Sequence, residues 1–356
     1  MVKSIRSLLK TKIYRFLVKH PFLDALQCLI RKRKNVKYCK RVAGRDGLSM
    51  NCESYGELNK DKVLYVIRNG KSGYGFFALY RETLKYLAFA DRFNLVPVIV
   101  WDRNIPYAED EPIIEKMNPF EYYFQQPVGI TEEEALKSYN VILAEEAHIT
   151  DSFLDVENNG NGSGYKINAI FINQLARIAR KYIVMNDTLN NELNREINEV
   201  LEGRRTIGVH IRGTDYKQNY NNHPMYVSEE EYIQAIDDLI KKQHYEQIFL
   251  ATDDQDILNY MIMRYGKKII YYNDVKRVSG TESVAFSEDN RKNNKYKLGV
   301  EVLRDMLTLS YCDAIVSGVS QVSICAKITK LSRNEKYCDE VELYHGVNKN
   351  NKIFVK

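Results

Sequence analysis

No apolar run in this sequence approaches the ~20 residues that a helix needs to cross a bilayer, so nothing in it reads as a membrane span. Cysteine is sparse and scattered. Cys28, Cys39, Cys52, Cys312, Cys325 and Cys338 form no CxxC pair, which excludes a zinc ribbon and a disulfide framework. With no stretch that reads as a secretory signal, reduced thiols in the cytoplasm are expected. The phosphate-cradling pattern GxxxxGK(S/T) is missing, and "GKSGYGF" has the wrong spacing for GxGxxG. These gaps set aside P-loop and nicotinamide chemistry. No cluster of metal ligands stands out, and no internal repeat is visible. Charge of one sign is also lacking: 52 Lys and Arg face 47 Asp and Glu, for a net +5. Much of the surplus lies near the N-terminus, so the rest is nearly balanced, which argues against a dedicated nucleic-acid binder.

What is present describes a globular protein. The 356 residues exceed the size at which single cores usually split. The expected division is a basic N-terminal segment (1–45), an N-terminal Rossmann-like domain (46–200), a C-terminal Rossmann-like domain (201–345) and a short tail (346–356). The 26 tyrosines suit clefts and interfaces, because each joins an apolar ring to a polar tip. In the basic segment Ile5, Leu8, Leu9, Ile13, Phe16 and Leu17 recur at helical spacing between Lys and Arg. Such a helix either lies on an anionic membrane face or packs on the protein's own body, and pattern does not separate the two.

The chain then alternates. "DKVLYVIRNG", a glycine-containing loop, the helical "FALYRETLKYLAFADRF" and the strand "LVPVIVW" make one βαβ unit. Residues 102–165 are loop-rich and include "ENNGNGSGY", and a helical stretch fills 166–203. From 204 onward strands ("RTIGVHI", "QIFLA", "KIIYY", "DAIVSG") alternate with helices. The helix at "SEEEYIQAIDDLIKK" carries Ser228 and Glu231 at capping-box spacing, and Gly266 closes the next one. The fold class is therefore α/β, with two Rossmann-like domains facing across a cleft and the C-terminal sheet parallel.

Ligands of open α/β sheets bind beyond the carboxyl ends of the strands. Three strands here end in polar groups at that edge. "RTIGVHI" runs into His210, Arg212, Thr214 and Asp215. "QIFLA" runs into Thr252, Asp253 and Asp254, and "DAIVSG" into Ser317, Gly318, Ser320 and Gln321, where a helix begins. A helix N-terminus favours an anion, and a guanidinium offers a planar fork of donors to phosphate oxygens. Together they describe a diphosphate site. Each group also has an ordinary role open to it: Arg212 with Asp215 as a structural ion pair, Asp253 or Asp254 as a helix cap, Ser317 as a loop serine, His210 as a satisfied core histidine.

These motifs resemble a family. "VHIRGTDY", followed by "HP" and "EEEYI", is similar to the first motif of the α-1,6-fucosyltransferases, the nodulation-factor and N-glycan core enzymes. "IFLATDD" resembles their second motif, and "LRDMLTLSYCDAIVSGVSQVS" their third. "GKSGYGFFALYRETLKYLAFA" looks like their glycine-rich loop and first helix. The similarity is good over residues 205–330 and weak over 60–130. It implies a GT-B-type fold and inverting, metal-independent transfer from GDP-fucose to a glycan acceptor, with no further cofactor. In a bacterial setting this suits surface polysaccharide made at the inner membrane face. It implies that His210 and Asp305 contact the guanine nucleoside, that Arg212 binds the β-phosphate, and that Ser320 and Gln321 bind the diphosphate. Asp253 and Asp254 would shape the donor pocket, and Tyr74 would cover the sugar. Asp215 and His223 are the candidate bases. The sequence departs from the family at Gly213, where a second arginine is usual. It departs again in "YKQNYNNHP", which lacks the family's acceptor-side glutamate. A different nucleotide sugar, or binding without catalysis, are the alternatives those departures favour.

Overall fold

The structure is a computed structural model and describes residues 39–43, 49–70, 74–145, 148–149, 169–281, 284 and 289–352. The basic segment up to residue 38, Lys71 to Gly73 of the glycine-rich loop, and the polar run 157–165 lie outside the described residues.

The first lobe contains β1 (Cys39–Ala43), β2 (Ser49–Glu53), β3 (Leu64–Asn69), α1 (Phe76–Arg92), β4 (Val96–Trp101), the short α2 (Glu132–Ala135) and β5 (Val141–Leu143). Its sheet order is β1-β2-β5-β3-β4. β5, β3 and β4 are parallel, and β1 and β2 add an antiparallel edge. Leu64 to Ile67 of β3 and Pro97 to Trp101 of β4 are buried apolar runs because both faces are covered. Two helices, α3 (Ala169–Tyr182) and α4 (Asp187–Leu201), lead to the second lobe.

That lobe runs through β6 (Thr206–Ile211), α5 (Glu229–Lys242), β7 (Gln247–Thr252), α6 (Gln255–Tyr265), β8 (Ile269–Ile270), α7 (Asn294–Tyr311), β9 (Ala314–Gly318), α8 (Gln321–Ser332) and β10 (Asp339–Leu343). Its order is β10-β9-β6-β7-β8, and every pairing is parallel. β6 and β7 are buried along their whole length. At Gly208 the sheet and α7 approach so closely that a Cβ would lie 3.1 Å from both Cys312 and Leu309.

Local chemistry sets the helix ends. The amide of Ser228 donates to Glu231 Oε2 at 3.2 Å, the capping box the spacing predicts. Asp254 accepts from the amides of Asp256 and Ile257 at the start of α6. Gly266 stops α6 at φ +57°, a conformation glycine adopts without steric cost.

The strand order creates the functional edge. The chain moves from β6 outward to β7 and β8, then returns to place β9 on the other side of β6. Connections leave β6 and β9 in opposite directions, which opens a crevice at their carboxyl ends. The first lobe covers it. α1 and α3 pack on α8, α4 packs on α7, and Arg304 of α7 bonds both Glu196 and Asp274 at 2.5 Å. A cluster of aromatic rings sits at this junction. Phe76, Trp101, Tyr107 and Tyr123 pack edge-on, with Tyr123 stacked on Tyr296 of α7 at 5.5 Å.

The structure differs from expectation in several elements. The helical stretch 166–203 is two helices, parted where Met185 bridges to Phe124. "KIIYY" keeps only a two-residue strand, Ile269–Ile270. β1, β2, β5 and β10 are short or carry polar edge positions, so no apolar periodicity announces them. Among the described residues no helix is long and apolar enough to cross a membrane.

Gly299 gives a direct test of the lobe contact. A Cβ there would lie 2.1 Å from Tyr123 Oη and 2.6 Å from its ring. Gly299→Ala is expected to lower stability by about 1–3 kcal/mol, as overpacking usually does. A denaturant midpoint equal to that of the unaltered protein would contradict this.

Candidate active site

A cavity of about 550 Å³ occupies the crevice. Its floor is the carboxyl edge of the second sheet. One wall is α1 with Tyr74 and Tyr107, and the other is α7 with Val275 and Lys276. Of the residues singled out from sequence, Tyr74, His210, Arg212, Asp215, His223, Thr252, Asp253, Asp305, Ser320 and Gln321 all line it. Asp254 and Ser317 do not. Both are fully buried behind the sheet edge.

Arg212 is fixed by two carboxylates. Its guanidinium lies 2.8 Å from Asp215 Oδ1 and 2.6 Å from Asp253 Oδ2. Burial works against the charge, but Asp215 and Asp253 more than offset it and raise the pKa, so Arg212 stays protonated. Its side chain keeps 28% of its surface exposed. Asp253 also accepts from the Gly213 amide at 2.9 Å and from the Thr214 hydroxyl at 2.6 Å. Burial alone would raise its pKa; Arg212 and those two donors instead hold it below the ordinary carboxylate value. The structural ion pair and the cavity position therefore belong to the same arginine.

His210 and Ser320 join the two strands at the switch point. Ser320 Oγ lies 3.2 Å from His210 Nδ1 and accepts from the Ser323 amide at 3.1 Å, capping α8. Burial lowers the pKa of His210 to about 4, so the ring is neutral near pH 7. Gln321 opens α8 with its Oε1 buried and without a hydrogen-bond partner among the described residues. The start of α8, Gln321 and Arg212 thus all line the same cavity, and each is a group suited to phosphate oxygens.

Asp305, on α7, is the second notable group. It is 7% exposed, and its Oδ1 has no hydrogen-bond partner among the described residues. Burial raises its pKa to about 7, against the opposing pull of Arg277 and Arg304. An unmet carboxyl at a cavity wall can accept from a ligand N–H. On the opposite side, His223 projects from the loop after β6. Tyr216 and Tyr220 flank its ring at 6.2 and 5.9 Å. Burial lowers its pKa despite the nearby Asp215.

Asp254 caps α6 and pairs with Lys217 at 2.5 Å, the cap role weighed from sequence. Its carboxyl group also explains Gly213. A Cβ at 213 would lie 2.4 Å from Asp254 Cβ and 2.6 Å from its Oδ2. The backbone here leaves no room for a side chain, and the cation beside Asp254 comes from Lys217 instead.

Sequence reasoning missed Arg81, Glu82 and Lys85, which face the cavity from α1, and Tyr107, Tyr216, Asn221, Asn222, Lys276 and Glu301. The α1 group was legible in part, since positions 77, 78, 81, 82 and 85 share one helix face. The others sit in irregular segments with no periodic signal. Among the described residues no group of three or more His, Cys, Asp and Glu side chains is placed to hold a metal ion.

Fold and cleft define a two-lobed α/β protein with Rossmann-like sheets and a cavity at the topological switch point. No family model and no curated protein matches the chain. Solved structures do show similarity. The chain is similar to NodZ α-1,6-fucosyltransferase soaked with GDP-fucose, at 14% identity over 75% of this chain and 92% of that one, TM-score 0.46. It is similar to fucosyltransferase NodZ from Bradyrhizobium at 15% identity, covering 76% and 93%, TM-score 0.42. It is similar to POFUT1 in complex with GDP-fucose at 12% identity, covering 81% and 99%, TM-score 0.45.

The packing at 213 makes a testable statement. Gly213→Arg is expected to displace Asp254, break its pair with Lys217 and uncap α6. Loss of a cap alone costs about 0.5–2 kcal/mol, so thermal stability should fall measurably. A variant as stable as the unaltered protein would show that the site has room.

Proposed function

We propose that this chain is an inverting glycosyltransferase that moves fucose from GDP-fucose to a hydroxyl of a glycan acceptor, without a catalytic metal. The observation that carries the reading is the convergence of Arg212, His210–Ser320 and the open end of α8 at the switch point of a parallel sheet. GDP is supported by Asp305, whose carboxylate suits the N1–H and amino donors of guanine. Fucose is supported by the three sequence motifs. Surface polysaccharide remains the proposed pathway, and the basic N-terminal segment the proposed membrane contact.

The reaction is one displacement. An acceptor hydroxyl oxygen bonds to the anomeric carbon as the bond from that carbon to the β-phosphate oxygen breaks, and GDP leaves with the electron pair. Charge grows on the diphosphate as the bond breaks. Arg212, already oriented by Asp215 and Asp253, and the N–H groups of α8 stabilise that charge without reorganising, usually the largest catalytic effect in such sites. Arg212 and its two carboxylates carry one net negative charge, so the arginine alone does not make the cleft attract an anion. Arg81, Lys85 and Lys276 on the walls are matched by Glu82, Glu301 and ionised Asp305, so anion binding rests on where Arg212 and the start of α8 are placed and not on net charge.

The acceptor proton needs a base. Asp215 is committed to Arg212, whereas His223 is held neutral by burial and so is able to take a proton. His223 therefore fills the role of the missing glutamate, which supports catalysis over binding alone. Tyr74 lines the donor side and serves as the cover for the sugar.

Two outcomes are expected. Arg212→Ala should reduce turnover by about 100-fold or more, the scale of losing a preorganised charge contact. Arg212→Lys keeps the buried charge and is the control for folding, because removing a partner from a buried ion pair itself costs about 3–5 kcal/mol. Near-normal turnover in a folded Arg212→Ala variant would remove the assignment.

The second outcome concerns pH. Guanine binding requires ionised Asp305, whose pKa in the free protein is about 7. Below that value the carboxyl must first lose its proton, so GDP affinity should weaken by up to about tenfold per pH unit. Above it, affinity should level off. Calorimetry from pH 5.5 to 8.5 reads this directly, and Asp305→Asn should flatten the profile. A pH-independent affinity in the unaltered protein would contradict the contact.

A further inference from the structure

The segment after β10 is tied to the cleft. β10 is parallel to β6 and β9, so the chain leaves it at the same edge of the sheet as the cavity. Gly346, at φ +98°, turns it back, and residues 346–352 then run along the loop 217–225. Met225 donates its amide to Gly346 O at 3.0 Å, Asn222 to Asn348 O at 2.9 Å, and Asn221 to Lys352 O at 2.8 Å. In return the Asn348 amide donates to His223 O at 2.8 Å. The Asn348 side chain is 9% exposed, and its Nδ2 bonds both His223 O (3.2 Å) and Pro224 O (3.3 Å).

The loop has reason to need this support. Asn219 and Asn222 are left-handed, at φ +52° and +62°, so the segment cannot continue as regular helix or strand. Its other backbone bonds are few: Lys217 to Gly213, Asn219 to Tyr216 and His223 to Tyr220. The remaining pairings come from the segment after β10. That loop carries Asn221, Asn222 and His223 into the cavity.

We propose that residues 346–352 form a strap, with Asn348 as the positioning residue that holds His223 and the adjoining asparagines in place on the acceptor side of the cleft. The proposal rests on the transferase reading above. It makes the segment part of the site's machinery, although it is distant in sequence from every motif. Asn348 contacts only backbone carbonyls and amides of the loop in the bonds above, so it sets geometry and takes no part in chemistry.

The test is Asn348→Ala in the full chain, with Asn350→Ala as a companion that removes the side-chain bond to Asn219 O and the one accepted from the Lys352 amide. Three readings are taken: hydrogen exchange of the amides of Asn221, Asn222 and Met225, GDP affinity, and transfer kinetics. Losing the two Nδ2 hydrogen bonds should speed exchange of those amides by about tenfold or more. GDP affinity should stay within about twofold, since the strap touches none of the donor groups. Transfer should fall with a rise in acceptor KM. Unchanged exchange and transfer would overturn the proposal. So would GDP affinity and exchange across the whole second lobe deteriorating together, because the segment would then be general support. If the unaltered chain does not bind GDP, the transferase reading fails, and exchange at Asn221 and Asn222 still decides whether the strap holds the loop.

Discussion

The ion-pair cluster of Arg212 with Asp215 and Asp253 is the constraint on which the cleft depends. A guanidinium at the end of a buried strand is costly unless its charge is met. Here two carboxylates from successive strand ends meet it, which fixes the loops after β6 and β7 relative to each other. The same contacts fix the loop backbone, because Asp253 also holds the Gly213 amide and the Thr214 hydroxyl. Once that backbone is set, Gly213 must lie against Asp254, and Asp254 must cap α6. The absence of a side chain at 213 is thus a consequence of packing.

The second lobe contributes the rest of the site through topology. The reversal of strand order puts the ends of β6 and β9 side by side, and His210 and Ser320 meet across that gap. The first lobe closes the crevice from above with α1, and the aromatic junction around Phe76 and Tyr123 holds it there. The cavity-lining loop after β6 is braced by the segment after β10. Each region is thus held by nameable contacts, and Asp305 and Gln321, whose Oδ1 and Oε1 have no hydrogen-bond partner among the described residues, line the cavity.

Much of this was legible in the sequence. Apolar strands ending in His-x-Arg, Asp-Asp and Ser-Gly-x-Ser predicted both the parallel sheet and the edge at which its chemistry gathers. The capping box at Ser228 and the stop at Gly266 were readable because they depend on a few adjacent residues. What stayed hidden depends on tertiary contact. Nothing local tells Asp253, which faces Arg212, from Asp254, which turns to the helix behind. Ser317 carried the same polar signature as Ser320 and ended buried in register with His210. The strap was invisible because its bonds are between backbone groups far apart in the chain, with only asparagines to mark them.

Calorimetric titration with GDP, UDP, CMP and ADP, with and without a chelator, tests the central claim most directly. The account predicts that GDP binds selectively and that the chelator leaves its affinity unchanged. Equal or tighter binding of another nucleotide, or loss of GDP binding on chelation, would contradict it.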